Sequence, residues 1–113
     1  METDTRPWGR YEVIQNAPDY KVKRIEVFPG KRFSLQKHFK RAETWMITSG
    51  EGIATVGQKE IPVKRGSVVQ VALEEVHRMH NTGKEPLVFI EVQLGSYFGE
   101  DDIVRLEDDF KRA

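Results

Sequence analysis

Apolar residues recur at every second position through most of this chain, a rhythm that argues for strands and against helices. Ile25 and Val27, Trp45 and Ile47, Ile61 and Val63, and Phe89 with Glu91 and Gln93 each keep this step. On a strand, such residues share one face. Turn signals separate the runs at Pro29-Gly30, Ser49-Gly50, Gly57-Gln58, Lys64-Arg65-Gly66 and Asn81-Thr82-Gly83. Short strands at close spacing predict an all-β antiparallel sandwich or barrel.

A length of 113 residues suits one domain with one core, so residues 1–113 are read as a single unit. The start, Met1 to Arg10, is polar and contains Pro7. Residues 1–19 are expected to pack across the barrel or onto a partner copy, because Trp8 and Tyr11 have little local core to bury them. Open strand edges also need cover, and a homodimer is expected on both grounds. The acidic stretch Gly99 to Arg112 is expected to end in a short helix. Charged residues make up 32% and cancel to a formal net charge of +0, so neither nucleic acid nor membrane is an expected partner. The absence of cysteine and of an apolar leader fits a cytoplasmic protein.

Four residues between these turns have the makings of a metal site. Gln36 and His38 are two apart and share a strand face, Glu43 opens the next strand, and His77 comes on a later one. Two imidazoles, a carboxylate and an amide oxygen suit one divalent ion of the Zn, Mn, Co, Ni or Fe kind. A surface pairing of Glu43 with Lys40 or Arg41 is the plainer alternative. His80 has the opposite parity to His77 and is set aside as a ligand. Trp45 and Met79 read as packing around the pocket, with ligand stacking by Trp45 as a second reading.

The spacing of Gly30, Gln36, His38, Glu43 and Gly50 resembles the first cupin motif, with Gln36 in place of its first histidine. Gly66, Ala72, Glu74, His77 and Asn81 resemble the second, with Ala72 and Glu74 replacing a proline and a glycine. The wording is closer still to the cupin domain of type II phosphomannose isomerases. The similar segments are Arg6 to Ile14, Tyr20 to His38, Arg41 to Trp45 and, above all, Ile90 to Asp108. The resemblance implies a cupin jelly-roll barrel and interconversion of mannose 6-phosphate and fructose 6-phosphate.

In that reaction a proton moves between C1 and C2 through an enediol, and the metal acts as Lewis acid and template. A base must stand within reach of the carbon it serves. Glu91 has inward parity, while Glu100, Asp101 and Asp102 lie in the family's signature segment, and each of these could instead be a structural carboxylate. The sugar phosphate needs cations: Arg105 within the Gly99–Arg105 segment comes first, then Lys40, Arg41 and Arg78. Lys40 and Arg105 are also read as assisting the chemistry. Two other readings stay open. Thr44 stands where the family has a histidine, which suits a non-catalytic sugar-binding or regulatory cupin. His38, His77 and Glu43 also resemble the two-histidine, one-carboxylate set of iron oxygenases. Relatives of this branch commonly carry a nucleotidyltransferase domain ahead of the cupin, and no guanylyltransferase activity is expected of these residues, which hold no Gly-rich phosphate loop.

Overall fold

A computed structural model describes residues 2–110, and their backbone is built from strands and turns. In chain order the strands are β1 (Thr3–Arg6), β2 (Gly9–Asn16), β3 (Tyr20–Val27), β4 (Leu35–Lys37), β5 (Arg41–Ser49), β6 (Glu51–Val56), β7 (Lys59–Lys64), β8 (Val68–Val71), β9 (His77–Asn81), β10 (Leu87–Gly95) and β11 (Val104–Glu107). They form two antiparallel sheets, one ordered β1-β2-β3-β10-β5-β8 and the other β11-β4-β9-β6-β7. The sheets face each other and enclose a common interior, which is the all-β sandwich expected from the alternation. Among the described residues no helix is long and apolar enough to cross a membrane.

Inward positions change character along each central strand. On β3 they run Lys23, Ile25, Val27; on β5 Arg41, Glu43, Trp45, Ile47; on β10 Leu87, Phe89, Glu91, Gln93; all are buried. Antiparallel register aligns these changes, since Phe89 sits opposite both Ile25 and Ile47, and Glu91 opposite Lys23 and Trp45. One end of the interior is therefore apolar and the other polar. The apolar part is organised by aromatic rings: Trp8 meets Phe33 at 5.4 Å, Phe33 meets Trp45 at 6.1 Å, and Trp45 meets Phe89 at 5.2 Å between centroids. Such tilted and edge-on contacts suit the charge distribution of the rings.

Two expectations need correction. The acidic C-terminal stretch forms β11 rather than a short helix, up to the last described residue, Phe110; Arg112 lies outside the described residues. The reason is an available edge: Val104 and Arg105 pair with Lys37 and Gln36 of β4, which would otherwise leave its backbone groups unpaired. The N-terminal segment is a hairpin, β1 against β2, extending the first sheet. Trp8 and Tyr11 are buried within their own chain, so they lend no support to a dimer. Ile61 shares the face of Val63, opposite buried Ala54, but stays 36% exposed because β7 is the edge strand of the second sheet.

Gly50 turns the chain between β5 and β6 at a φ of 84°, and a Cβ there would stand 2.5 Å from the Pro86 carbonyl oxygen. Gly30 has a similar φ of 76° with open space around it. Gly30→Ala is expected to cost about 1 kcal/mol from backbone strain alone. Gly50→Ala adds a backbone collision and should cost about 3 kcal/mol or more. Urea denaturation of both variants checks the order; equal losses would remove the steric argument.

Candidate metal centre and adjoining pocket

The polar end of the interior gathers His38, Glu43 and His77. All three are buried, and one potential ligand atom from each lies within 4.8 Å of the others. His38 follows β4, Glu43 is on β5 in the first sheet, and His77 opens β9 in the second. The site thus spans the gap between the sheets.

Hydrogen bonds behind the rings set the tautomers. His38 Nδ1–H donates to the Asp102 carbonyl at 2.6 Å, and His77 Nδ1–H donates to the Glu75 carbonyl at 2.9 Å. Both Nε2 atoms then lie toward Glu43, at 3.5 Å from Oε2 for His38 and 3.7 Å from Oε1 for His77. A second hydrogen bond on the far ring nitrogen is how proteins orient metal-binding histidines. Glu43 is held at both oxygens, by Trp45 Nε1 at 3.0 Å and Arg41 Nε at 2.9 Å. His77 Nε2 is buried and has no hydrogen-bond partner. A buried nitrogen without a partner is costly unless something else takes its lone pair. That orphan, with two imidazoles and a carboxylate converging, fits a borderline divalent cation. Gln36 is the register partner of His77 and lines the same pocket, its Oε1 accepting from Ser34 Oγ at 3.3 Å. Gln36 thus lies beside the cluster, which itself consists of His38, Glu43 and His77.

Electrostatics divide the carboxyls here. Burial would raise Glu43, but His77 and Arg41 outweigh it and hold it ionised, far below the usual range. Glu91 shares a hydrogen bond with Glu43, and burial together with that neighbouring charge pushes it up to about 8. Glu91 Oε2 accepts from Gln93 Nε2 at 2.7 Å. Burial, then Arg41, pushes His38 down to about 4.

Beside the ligands opens a pocket lined by Arg6, Lys23, Arg41, Glu91, Glu100 and Arg105 among others. Arg41, Glu91 and Arg105 are expected there from the sequence; Arg6 and Lys23 are additions from the structure. Lys23 shares inward parity with Ile25 and Val27, a signal the alternation contains, while nothing local marks Arg6. Glu100 accepts from Lys23 at 3.1 Å and lies 3.5 Å from Arg41. Asp102 reads as structural, its carboxylate accepting from the backbone amides of Phe39 at 3.1 Å and Lys40 at 2.9 Å. Asp101 accepts from the Tyr97 hydroxyl.

Three expected contacts fall elsewhere. Lys40 precedes inward-facing Arg41, so its side chain lies outside, 5.2 Å from the Tyr97 ring centroid and away from the pocket lining. Arg78 sits between inward His77 and Met79 and faces the other side of the sheet. There its guanidinium donates to the Phe33 carbonyl at 2.9 Å and to Glu107 at 2.7 Å. Trp45 is 0% exposed, with its ring against Phe33, His77 and Phe89, so no sugar can stack on it. His80 is half-exposed and outside the cluster, as its parity requires.

The depressed His38 value has a pH consequence. The unfolded chain takes a proton on this ring near its ordinary value of 6.5, whereas the folded chain resists until about 4. Stability is then full above the higher value and is lost as pH falls through this window. Without added metal, the melting temperature should fall between roughly pH 6.5 and 5, and His38→Gln should flatten that decline. Equal slopes for both proteins would show that His38 is not the group responsible.

Comparison with known proteins bears on the fold and the family. Residues 2–108 match the family described as mannose-6-phosphate isomerase C-terminal. The xanthan biosynthesis protein XanB of Xanthomonas campestris pv. campestris is 47% identical over 108 residues, covering 96% of this chain but 23% of XanB. The alginate biosynthesis protein AlgA of Pseudomonas aeruginosa is 46% identical, with 96% and 22% covered. A mannose-1-phosphate guanylyltransferase of Klebsiella pneumoniae is 42% identical, with 96% and 23% covered. The chain thus spans less than a quarter of the length of these relatives. Among solved structures, the capsular polysaccharide assembling protein CapF of Staphylococcus aureus superposes with a TM-score of 0.82 at 20% identity, over 94% of this chain and 34% of CapF. A cupin-2 domain from Rhodospirillum rubrum gives 0.75 at 20% identity, over 89% and 77%. These likenesses establish the cupin fold. With its sequence matched almost from end to end, the chain belongs to the mannose-6-phosphate isomerase C-terminal family.

Proposed function

We propose that this chain is a metal-dependent sugar-phosphate isomerase domain, interconverting mannose 6-phosphate and fructose 6-phosphate. The observation that carries this reading is the content of one pocket. Its wall holds His38, Glu43 and Gln36, with His77 completing the ligand cluster, a buried protonatable carboxyl at Glu91, and Arg105, whose buried Nε has no hydrogen-bond partner. Arg105 also has no carboxylate within ion-pair distance among the described residues, unlike Arg6, Lys23 and Arg41, which pair with Asp4, Glu100 and Glu43 respectively. It is the lining cation most free to take an incoming phosphate.

A divalent ion held by His38, Glu43 and His77, with Gln36 beside them, would supply Lewis-acid polarisation of the sugar carbonyl. Burial beside Glu43 and a raised pKa support Glu91 as the group that carries a proton between C1 and C2. Arg105 anchors the phosphate and so fixes which carbons face Glu91.

The second reading, a sugar-phosphate-binding cupin without catalysis, draws on Thr44. On β5, Glu43 and Trp45 point inward, so Thr44 points to the opposite face, where it pairs across to Gln70 and Val92. A histidine there would also face away from the pocket, so Thr44 does not favour that reading. The oxygenase reading shares the same three ligands, and the cations lining the pocket favour an anionic substrate instead.

A coupled assay of mannose 6-phosphate conversion with Zn, Mn, Co, Ni or Fe added in turn should give activity with at least one. Inactivity with all of them, alongside measurable binding of the sugar phosphate, would leave the non-catalytic reading. Arg105→Ala should weaken mannose 6-phosphate binding by about 2 to 5 kcal/mol, with metal content and melting temperature unchanged. Unphosphorylated mannose should be nearly indifferent. Equal loss for both sugars, or a destabilised fold, would sink the phosphate-anchor role.

A further inference from the structure

Arg41 occupies an unusual position for a lining residue. Its Nη2–H donates to His38 Nε2 at 3.0 Å while its Nε–H donates to Glu43 Oε2 at 2.9 Å. The guanidinium therefore bridges two of the three candidate ligand atoms, both of which an ion held by this cluster would need. Arg41 is 5% exposed and Glu43 2% at its side chain, so this is a buried contact between complementary charges.

The lone pairs of His38 limit what can bind beside it. A neutral imidazole has one N–H and one lone pair. His38 commits its N–H to the Asp102 carbonyl, and the lone pair that remains accepts from Arg41. The same lone pair cannot take a proton donor and a metal ion together. Ligation also draws the ion to about 2 Å from the nitrogen, which would set it against a guanidinium hydrogen-bonded to the same atom. His77 Nε2 has no partner in this arrangement, so the guanidinium satisfies two ligands and leaves the third.

We propose that Arg41 and a divalent cation are alternative occupants of one site, and that metal binding turns the guanidinium out into the pocket as a further anion-binding group. The inference rests on the metal reading of His38, Glu43 and His77 and is independent of isomerase activity. The route outward is already marked, because Arg41 Nη1 stands 3.5 Å from the Glu100 carboxylate, which also accepts from Lys23. Glu100 is 48% exposed at its side chain, so it can follow a displaced guanidinium or yield to a competing anion. Binding of an anion then depends on metal even where the two never touch. In the absence of metal, Arg41 keeps the buried carboxylate neutralised.

The test is titration of the full chain with Zn(II), using a chromophoric chelator as competitor. Arg41→Ala should bind the ion at least about tenfold more tightly, since no charge-assisted hydrogen bond has to be broken first. Guanidinium ion at low, non-denaturing concentration should fill the vacated space and weaken Zn(II) binding to the variant, leaving the wild type unaffected. In parallel, the nitrogen-15 signal of Arg41 Nε–H in the wild-type protein should shift when Zn(II) saturates the site. Inorganic phosphate should bind the wild type more tightly with Zn(II) than without, and lose most of that gain in Arg41→Ala. Unchanged or weaker Zn(II) binding in the variant, or an Arg41 signal indifferent to Zn(II), would overturn the exclusion. If Arg41→Ala fails to fold, the wild-type signal decides alone. Absence of Zn(II) binding in both proteins would remove the metal site and the exclusion together, whereas isomerase inactivity would leave both standing.

Discussion

The Glu43 carboxylate is the constraint around which this interior is arranged. An ionised carboxylate in a dry interior costs several kcal/mol unless partners surround it. Here Arg41 and Trp45 come from its own strand, His38 and His77 from the facing sheet, and Glu91 from the neighbouring strand. Each partner is itself held: His38 by Asp102, His77 by Glu75, Glu91 by Gln93. The charge therefore ties two sheets and the loop before β11 to one point. Removing any member leaves another buried polar atom unpaired, so packing and chemistry are not separable at this end.

The opposite end obeys different rules. Trp8, Phe33, Trp45 and Phe89 fill it with rings that need only shape and volume. Trp45 belongs to both ends, since its ring joins the aromatic contacts while its Nε1 holds Glu43. That double duty explains why it is fully buried and unavailable to a ligand. Substituting it would disturb Glu43 and the core at once.

Much of this arrangement is legible in the sequence, for a physical reason. Parity along a strand is a local property, so the inward facing of Glu43, His77 and Glu91 can be read from spacing alone, and Lys23 is readable in the same way. What spacing does not carry is the identity of a neighbour contributed from far away. Arg78 is buried because β11 covers it and Glu107 pairs with it, facts that lie outside its own strand. β11 alternates Val104 and Leu106 with Arg105 and Glu107, but its apolar pair is 36% and 53% exposed, so the pattern marks no inward face; what fixes it as a strand is the edge that β4 offers. Arg6 reaches the pocket only through the hairpin that follows it. The error at Lys40 is of another kind, because Arg41 beside it already fixes the outward direction.

Arg6 and Arg105 stand almost at opposite ends of the sequence yet line one pocket. Such a site scarcely exists in a partly folded chain. Antiparallel sheets joined by distant pairings fold slowly because loops must close before contacts reward them. Here the closing pairing, β11 on β4, brings in Arg105, and the loop before it supplies the carbonyl that sets the His38 tautomer. On the ribosome, the polar cluster and the cations that line the pocket would therefore come together as one late event, when β11 docks on β4, and not by stages as the barrel grows.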